Sequence, residues 1–254
     1  MRQFIQATLV LCTSIPLLAA SAAAEDEHGR DWGYRGEAGK IAPADWPGTC
    51  QERGTQSPIN VALAAASGTP ADPIGFFYRT GESVLRDNGH AIEVTRVAGY
   101  VEVTRARTPY ELCGIHFHTP SEHTRENVGQ PAEMHFVHKP RCEGAGPYLV
   151  VGWLIAEADD QHPSNPTLSG YLEGLGRLPF QTSELNPKNI LTANDYAQYS
   201  GSLTTPGCDT GVTWFVSKQP LYLSERMLEG LRAYYPDNAR PGQNLGERKI
   251  RGLR

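Results

Sequence analysis

Two histidines separated by a single residue, His116 and His118, lie within a run of β-branched and aromatic side chains. This composition favours a strand over positions 111–118, and side chains two residues apart on a strand point to the same face. We therefore expect the two imidazole rings to lie side by side, with Ile115 and Phe117 packed behind the sheet.

A third histidine, His135, lies in a second strand-like segment at 133–139. If the two strands pair, three imidazoles converge on one point. Three neutral nitrogens with one open position are typical of catalytic zinc, whereas a structural zinc has four protein ligands. The sequence therefore predicts a Zn2+ site formed by His116, His118 and His135.

Two other histidines of this region, His123 and His138, are expected to be structural. His138 is three residues beyond His135, which places it on the opposite face of the same strand.

A competing metal motif is present, because His116, His118 and Glu122 also resemble the first motif of the cupins. A cupin would usually add a histidine shortly after a Pro-x-Gly turn. Pro206-Gly207 is followed by no histidine, which disfavours that class.

Strand-like segments outnumber helix-like segments, which predicts a single β-rich domain with a mostly antiparallel sheet. Further strands are predicted at 148–156 and 212–223, and a hairpin formed by 91–96 and 100–105 around Val97-Ala98-Gly99. Helices are predicted at 167–176 and 224–234, the second with Ser224 as its N-cap.

The N-terminal segment has the layout of a secretory signal peptide, with Arg2, an apolar run over 4–20 and small residues at 21–24. The run is interrupted by polar residues and is shorter than the roughly 20 residues that a membrane span needs. We expect a signal peptide over 1–24, a mature domain over 25–254, and a periplasmic or secreted protein.

The formal net charge of −5 becomes −6 when the signal segment, with its single charge at Arg2, is removed. A mildly acidic chain without a basic run lacks the electrostatic features of nucleic-acid or anionic-lipid binding. We expect a small-molecule substrate, no nucleic-acid partner and no membrane span in the mature chain; a homodimer is compatible with the sequence.

Cys12 lies in the signal segment, so the mature chain keeps four cysteines: Cys50, Cys113, Cys142 and Cys208. An even number in an exported chain indicates disulfides, and four cysteines allow three pairings. A four-cysteine zinc site would need CxxC-like pairs, and none is present.

Six motifs occur in order along the chain: WGY at 32–34, QSPIN at 56–60, HFHTPSEHT at 116–124, EMHFVH at 133–138, SLTTP at 202–206 and NARPGQ at 238–243. Together they resemble the signature blocks of the α-carbonic anhydrases over essentially the whole mature chain. The resemblance implies a large twisted, mostly antiparallel sheet with a zinc at the foot of a conical cavity. It also implies reversible hydration of carbon dioxide to bicarbonate and a proton by zinc-bound hydroxide.

The resemblance implies roles for three polar residues near the metal. Thr204 would accept the hydrogen of the hydroxide and donate its own hydrogen to Glu122, because a carboxylate can only accept. Glu133 corresponds to the carboxylate that holds a ligand imidazole in the correct tautomer.

The resemblance also implies a dry wall for a nonpolar substrate, with Thr205 beside it in the cavity. The residues that correspond to this wall are Val137, Val150, Leu203, Val212 and Trp214.

The segment Asn88-Gly89-His90-Ala91 resembles the proton-shuttle segment of the family. His90 is therefore the candidate shuttle, since a histidine with an ordinary pKa of about 6.5 can carry a proton near neutral pH. Tyr34 and Asn88 are expected to help order water between the zinc and His90.

Two glycines depart from the family pattern. Gly114 replaces a glutamine that commonly hydrogen-bonds the first ligand, and loss of such a partner typically costs about 10- to 100-fold in metal affinity or activity. Gly207 replaces a second proline that often follows Thr-Thr-Pro.

The resemblance also bears on the cysteines. Cys50 and Cys208 are placed as in the disulfide that bacterial members commonly carry, which anchors the Thr204 loop. Cys113 and Cys142 are less usual; they flank the two strands of the zinc ligands, and a second disulfide there would brace those strands.

Two other functions stay open: a carbonic anhydrase-like binding protein without catalysis, and a zinc esterase. Non-catalytic relatives usually lack one or more of the three histidines, which are all present here with Glu122 and Thr204. The sequence therefore favours the enzyme.

Overall fold

The computed structural model describes residues 31–35, 37–104, 109–191 and 195–253, so the predicted signal peptide lies outside the described residues. Within these ranges the strands are β1 (Asn60–Val61), β2 (Ile74–Tyr78), β3 (Ser83–Asp87), β4 (Ile92–Thr95), β5 (Gly99–Val103), β6 (Tyr110–His118), β7 (Thr124–Arg125), β8 (Ala132–Lys139), β9 (Leu149–Glu157), β10 (Phe180–Thr182), β11 (Tyr196–Ser202), β12 (Thr210–Ser217) and β13 (Leu221–Leu223). The α-helices are α1 (Pro166–Leu172) and α2 (Glu225–Tyr234), and the 3-10 helices are Pro43–Asp45, Gly48–Gln51, Leu63–Ala65, Glu173–Arg177 and Pro187–Ile190.

Eleven strands form one large sheet in the order β10-β3-β4-β6-β8-β9-β12-β11, with β13 beside β9 and the pair β2-β5 attached through β6. Only the pairings of β12 and β13 with β9 are parallel among the strand pairs of this sheet in the described ranges. The prediction of a mainly β fold with a mostly antiparallel sheet is confirmed. A small parallel pair, β1-β7, lies apart from this sheet.

The predicted hairpin at 91–96 and 100–105 is wrong. β4 and β5 do not pair with each other; both pair with β6, at Glu93–His116 for β4 and at Tyr100–Glu111 for β5. Arg96, between them, has a φ of 56°, a left-handed conformation that interrupts the strand without reversing the chain. β4 and β5 therefore lie one after the other along the same neighbouring strand, β6.

The predicted strand at 212–223 is also divided, because β12 ends at Ser217 and β13 starts at Leu221. Between them the Ser217 hydroxyl donates to the Gln219 carbonyl at 2.8 Å and accepts from the Gln219 amide at 3.3 Å, which forms a local turn. Pro220 follows and has no amide to donate to a ladder.

Both helices are close to their predicted positions. α1 starts after Asn165, whose side chain accepts from the Leu168 amide at 3.0 Å, and the predicted end is a separate 3-10 helix, Glu173–Arg177. Ser224 is the N-cap residue of α2 as predicted, although its side chain makes no capping hydrogen bond. No helix within the described part of the chain is long and apolar enough to cross a membrane.

The two faces of the sheet belong to different apolar clusters. Ile115, Phe117 and Phe136 point into the larger cluster, which includes both helices. Val150 and Trp214 belong to a second cluster on the other face, together with Ile59 and Ile250. Because side chains alternate along a strand, His116, His118 and His135 lie on the face of this second cluster.

Candidate active site

Strand register brings the three predicted ligands together. His116 pairs with His135 across β6 and β8, and His118 follows two residues later on the same face of β6. One nitrogen of each ring lies within 4.8 Å of the others, and His116 Nε2 is 3.2 Å from His135 Nδ1. The predicted cluster therefore forms within the sheet.

The tautomers of His118 and His135 are fixed by acceptors on their outer nitrogens. His118 Nδ1 donates to the Asn238 carbonyl at 2.7 Å, and His135 Nε2 donates to Glu133 Oε1 at 2.7 Å. A carbonyl and a carboxylate can only accept, so His118 Nε2 and His135 Nδ1 carry the lone pairs that point into the cluster.

His116 differs from the other two histidines. Across the described residues its only hydrogen-bond contact is through Nε2, toward His135. Gly114 lies two residues earlier on the same face and has no side chain to reach the ring. Among the described residues, no acceptor on Nδ1 therefore fixes the tautomer of His116 in the way that Asn238 and Glu133 fix those of His118 and His135.

The cluster fits a tetrahedral metal ion. Metal–nitrogen distances of 2.0–2.1 Å in a tetrahedron separate two ligand nitrogens by about 3.3 Å, close to the distance between His116 Nε2 and His135 Nδ1. His118 Nε2 is buried without a hydrogen-bond partner in the described structure. Burial, followed by repulsion from the other histidines, lowers the pKa of His116 well below its ordinary value and keeps the ring neutral, as a metal ligand must be.

Glu133 orders the second strand of the site. Its Oε1 accepts from His135 and from His123 Nδ1, each at 2.7 Å, and its Oε2 accepts from the amides of Glu122 and His123 at 2.9 and 2.7 Å. Burial alone would raise the pKa of Glu133, but the attraction to His123 and His135 and their hydrogen bonds outweigh it, and the pKa lies well below its ordinary value. The carboxylate is therefore ionised and acts only as an acceptor.

A directed chain of hydrogen bonds supports Glu133. Of its members, only Glu133 is predicted from the sequence to act at the site. His123 donates through Nδ1, so its Nε2 accepts from Tyr199 at 2.7 Å, and Tyr199 in turn accepts from Ser57 at 2.8 Å. Ser57 Oγ accepts from the Ser202 amide at 3.1 Å. His123 was predicted to be structural; its contacts connect it to the site through Glu133. This chain also accounts for the second candidate metal group, His123, Glu133 and His135, whose members already bond to one another.

Glu122 and Thr204 lie together in the buried part of the site. Glu122 Oε1 accepts from the Arg240 amide at 2.9 Å, and its Oε2 is 3.5 Å from His118 Nε2. Burial raises the pKa of Glu122 to about 7, and attraction to His135 and a hydrogen bond from Thr204 partly oppose this rise. The structure thus brings the predicted hydroxyl–carboxylate pair beside the histidines.

The apolar residues predicted to contact the substrate share one cluster. Val150, Val212 and Trp214 are buried in it, and Val137 and Leu203 are half-buried against it. The Trp214 ring lies 4.9 Å from the His135 ring, measured between centroids, so this cluster adjoins the metal cluster.

The loop between β11 and β12 holds Thr204 and Thr205. The Cys50–Cys208 disulfide attaches it to the N-terminal part of the chain, and the Cys208 amide donates to the half-buried Thr205 carbonyl at 2.9 Å. Gly207 has a φ of 91°, which a proline cannot adopt. A proline at this position would therefore require a different loop conformation.

His90 lies on the surface side of the site, half-buried. Its ring stacks on Trp32 with centroids 3.8 Å apart and an interplanar angle of 6°. Its carbonyl accepts from the Asn238 side chain at 3.0 Å, and Asn238 also accepts from His118. Burial, followed by repulsion from Lys40, lowers the pKa of His90 below its ordinary value.

The two residues predicted to order water near His90 lie in different settings. Tyr34 is half-buried and meets the His118 ring edge-on, with centroids 6.4 Å apart. Asn88 is exposed and is committed to the turn: it accepts from the His90 amide at 2.9 Å and donates to Glu93 at 3.0 Å. The structure therefore places Tyr34 beside the ligands and Asn88 in the support of the loop.

The second disulfide, Cys113–Cys142, is present, with its Cα atoms 5.2 Å apart. Its two cysteines flank the segment that contains all three histidines of the cluster. Cys142 is exposed and Cys113 partly exposed, in contrast to the buried Cys50–Cys208 pair.

Comparison with known proteins identifies the class that this fold and site define. The family model described as eukaryotic-type carbonic anhydrase matches residues 41–253. A carbonic anhydrase of Klebsiella pneumoniae is 34% identical over 232 residues, with 86% of this chain and 89% of the relative covered. A carbonic anhydrase of Neisseria gonorrhoeae is 31% identical over 255 residues, which cover 96% of this chain and 97% of the relative.

Solved structures agree with the sequence comparison. The α-carbonic anhydrase of Thermovibrio ammonificans, solved with the inhibitor sulfanilamide, superposes with a TM-score of 0.73 at 34% identity, covering 87% of this chain and 99% of that chain. The chain therefore belongs to the eukaryotic-type, or α, carbonic anhydrase family.

Proposed function

We propose that this chain catalyses the reversible hydration of carbon dioxide to bicarbonate and a proton, with a zinc ion held by His116, His118 and His135. The convergence of three imidazole nitrogens carries the proposal, since two of them have a lone pair fixed toward the others by an acceptor on the outer nitrogen. When bound, zinc supplies a Lewis acid that lets a water molecule lose a proton near neutral pH.

Glu122 and Thr204 orient the nucleophile. The ionised carboxylate of Glu122 can only accept, so the Thr204 hydroxyl donates to it and keeps its oxygen lone pairs for the nucleophile's hydrogen. The Arg240 amide donates to Oε1 of Glu122, which keeps the carboxylate from turning away. Burial raises the pKa of Glu122 to about 7, and a dication held by the three histidines would favour the ionised carboxylate.

The apolar cluster beside His135 suits a substrate without a dipole. Carbon dioxide gains little from hydrogen bonds, so a dry surface formed by Val137, Val150 and Val212 holds it without competition from water. Leu203 and Trp214 complete this surface, and Thr205 contacts bicarbonate in the proposed reaction.

His90 exports the proton that hydration releases. It lies half-buried on Trp32, and the rings of Trp32 and Tyr34 continue from it toward His118. Its imidazole can take up a proton from ordered water and release it to buffer.

We further propose that residues 1–24 direct export and that the mature domain, 25–254, works in the periplasm or the medium. Two disulfides support this, because such bonds persist in oxidising compartments. Intact-mass analysis of the protein recovered outside the cytoplasm should give a chain that starts at Glu25, and a chain that keeps residues 1–24 would contradict the proposal.

Stopped-flow carbon dioxide hydration, with metal content measured on the same sample, tests the enzymatic proposal. We expect one zinc per chain, loss of hydration on chelation and recovery on zinc addition. His118→Ala should abolish zinc binding and activity, whereas His162→Ala, at an exposed histidine, should change neither. Zinc-loaded protein that hydrolyses activated esters without hydrating carbon dioxide would favour an esterase, and zinc-loaded protein inert in both assays would favour a binding protein.

A further inference from the structure

Within the described part of the chain, His116 has no acceptor on its outer nitrogen, unlike His118 and His135. The position that could supply one is Gly114, and space is not what keeps a side chain away: a Cβ there would meet only the Val94 carbonyl oxygen, at an ordinary 3.6 Å. Apart from contacts with the other two histidine rings, the described structure holds the His116 ring only through its backbone, so whatever fixes this part of β6 also fixes the ligand.

β6 is irregular just before His116. Its pairing with β8 shifts between Leu112 and Gly114, so Cys113 is an extra residue without a partner in the ladder. A bulge bends a strand and disrupts its hydrogen-bond ladder locally, and the glycine beside it adds backbone freedom. The ladder with β8 is therefore interrupted at Cys113, and the pairing of β6 with β4 covers only Ile115 and His116.

The extra residue is the one that forms the disulfide. Cys113 is bonded to Cys142, three residues beyond the end of β8, and the Cys142 amide also donates to Glu111 Oε2 at 3.3 Å. The bond therefore attaches the bulge of β6 covalently to the chain leaving β8, the strand that carries His135.

We propose that the Cys113–Cys142 disulfide positions His116 for metal binding, in place of the side-chain partner that Gly114 cannot provide. The inference rests on the zinc site proposed above. The disulfide fixes β6 against β8 at the bulge, three residues from the cross-strand pair His116–His135, and so holds the two nitrogens at their mutual distance. His118 and His135 depend on it less, because Asn238 and Glu133 hold them.

The test compares zinc affinity in three proteins by chelator competition: the wild type, Cys113→Ser/Cys142→Ser, and the same double variant with Gly114→Gln. We expect the double variant to lose about 10-fold in zinc affinity, as for a lost partner of a metal ligand, and the added glutamine to restore most of it. The visible spectrum of the cobalt-substituted protein should change in the double variant and return in the triple variant. If the double variant lost zinc affinity only because the whole fold is less stable, a glutamine that reaches His116 would not restore that affinity.

A matched control removes the other disulfide, through Cys50→Ser/Cys208→Ser. This variant should hydrate carbon dioxide more slowly, because the Thr204 loop is no longer anchored, while its zinc affinity stays near the wild-type value.

If a serine variant does not fold, the exposed Cys113–Cys142 bond can be opened in the folded protein. A dithiol gives two electrons to the disulfide, yielding two cysteine thiols and an oxidised dithiol, and alkylation then blocks the thiols before zinc affinity is measured.

Zinc affinity unchanged after loss of the Cys113–Cys142 bond would overturn the inference, and so would an equal loss in both disulfide variants. Failure of the wild-type protein to bind zinc would instead contradict the proposed metal site itself.

Discussion

Among the three proposed zinc ligands, His118 and His135 are supported in one way and His116 in another. His118 and His135 each donate through an outer nitrogen to a buried acceptor, the Asn238 carbonyl or the Glu133 carboxylate. His116 has Gly114 where a partner would lie, on a bulged part of β6 that a disulfide ties to the neighbouring segment. The same metal geometry can therefore be held either by hydrogen bonds to the ring or by restraint of the backbone beneath it.

The difference has an energetic side. A hydrogen bond from the ring acts on the ligand itself. The disulfide restrains the backbone of the folded strand, and it also stabilises the fold by restricting the unfolded chain, by roughly 3–4 kcal/mol for a loop of this length. The first kind of support should be lost through substitution of a single partner and the second through cleavage of a covalent bond.

Removing the hydrogen-bonded support should have the largest effect. Glu133→Gln replaces an acceptor of four hydrogen bonds by an amide whose NH2 group faces donors, so we expect zinc affinity to fall about 100-fold. Chelator competition measures this change. An affinity within twofold of the wild type would show that His135 does not need its acceptor.

The proton pathway should separate from metal binding. His90→Ala should slow hydration in weak buffer by about 100-fold, with imidazole buffer restoring turnover and zinc affinity unchanged. Stopped-flow rates across buffer concentrations measure it. Unchanged turnover in weak buffer would remove His90 as the shuttle, and lost zinc affinity would mean that its link through Asn238 also supports His118.

A glutamine at position 114 should give His116 a hydrogen-bond acceptor like those of His118 and His135. In the wild-type background, Gly114→Gln should raise zinc affinity by up to about 10-fold, because a carboxamide oxygen can accept from His116 Nδ1. Gly114→Ala, which cannot reach the ring, should give no gain. Equal affinities for the two variants would mean that His116 is already fully supported.

His138 offers the most distant comparison, because it is a buried histidine with both nitrogens occupied. It contacts the Tyr78 hydroxyl at 2.7 Å and the Leu149 carbonyl at 3.1 Å, and burial lowers its pKa from 6.5 to about 3. The unfolded chain binds this proton more readily, so the stabilisation is complete above pH 6.5 and is lost as the pH falls toward 3.

Urea unfolding measures that effect. Between pH 7 and pH 5 the wild type should lose roughly 2 kcal/mol more than His138→Gln, at about 1.4 kcal/mol per pH unit below 6.5. Equal losses in the two proteins would mean that His138 titrates normally.

The ligand strands could be predicted from sequence because their signal is local. Alternation around His116 and His118 fixed both the strand and the shared face, and Ile115 and Phe117 lie in the opposite cluster as predicted. The hairpin prediction failed because local pattern cannot tell which strand a segment pairs with: β4 and β5 both align along β6. Pairing depends on contacts far apart in sequence.

The support of the site was beyond local sequence patterns for the same reason. Tyr199 contacts His123 from 76 residues away and Ser57 from 142 residues away, and no spacing rule connects them. Comparison with the family pattern reveals that Gly114 replaces a glutamine. The bulge at Cys113, which gives the disulfide its proposed role, appears only when β6 is paired with β8.

Anomalous diffraction at the zinc edge from crystals of the zinc-loaded protein tests the metal assignment most directly. We predict one peak per chain, about 2.0–2.1 Å from His116 Nε2, His118 Nε2 and His135 Nδ1. A peak within the group His123, Glu133 and His135, or no peak in a protein that retains zinc in solution, would contradict it.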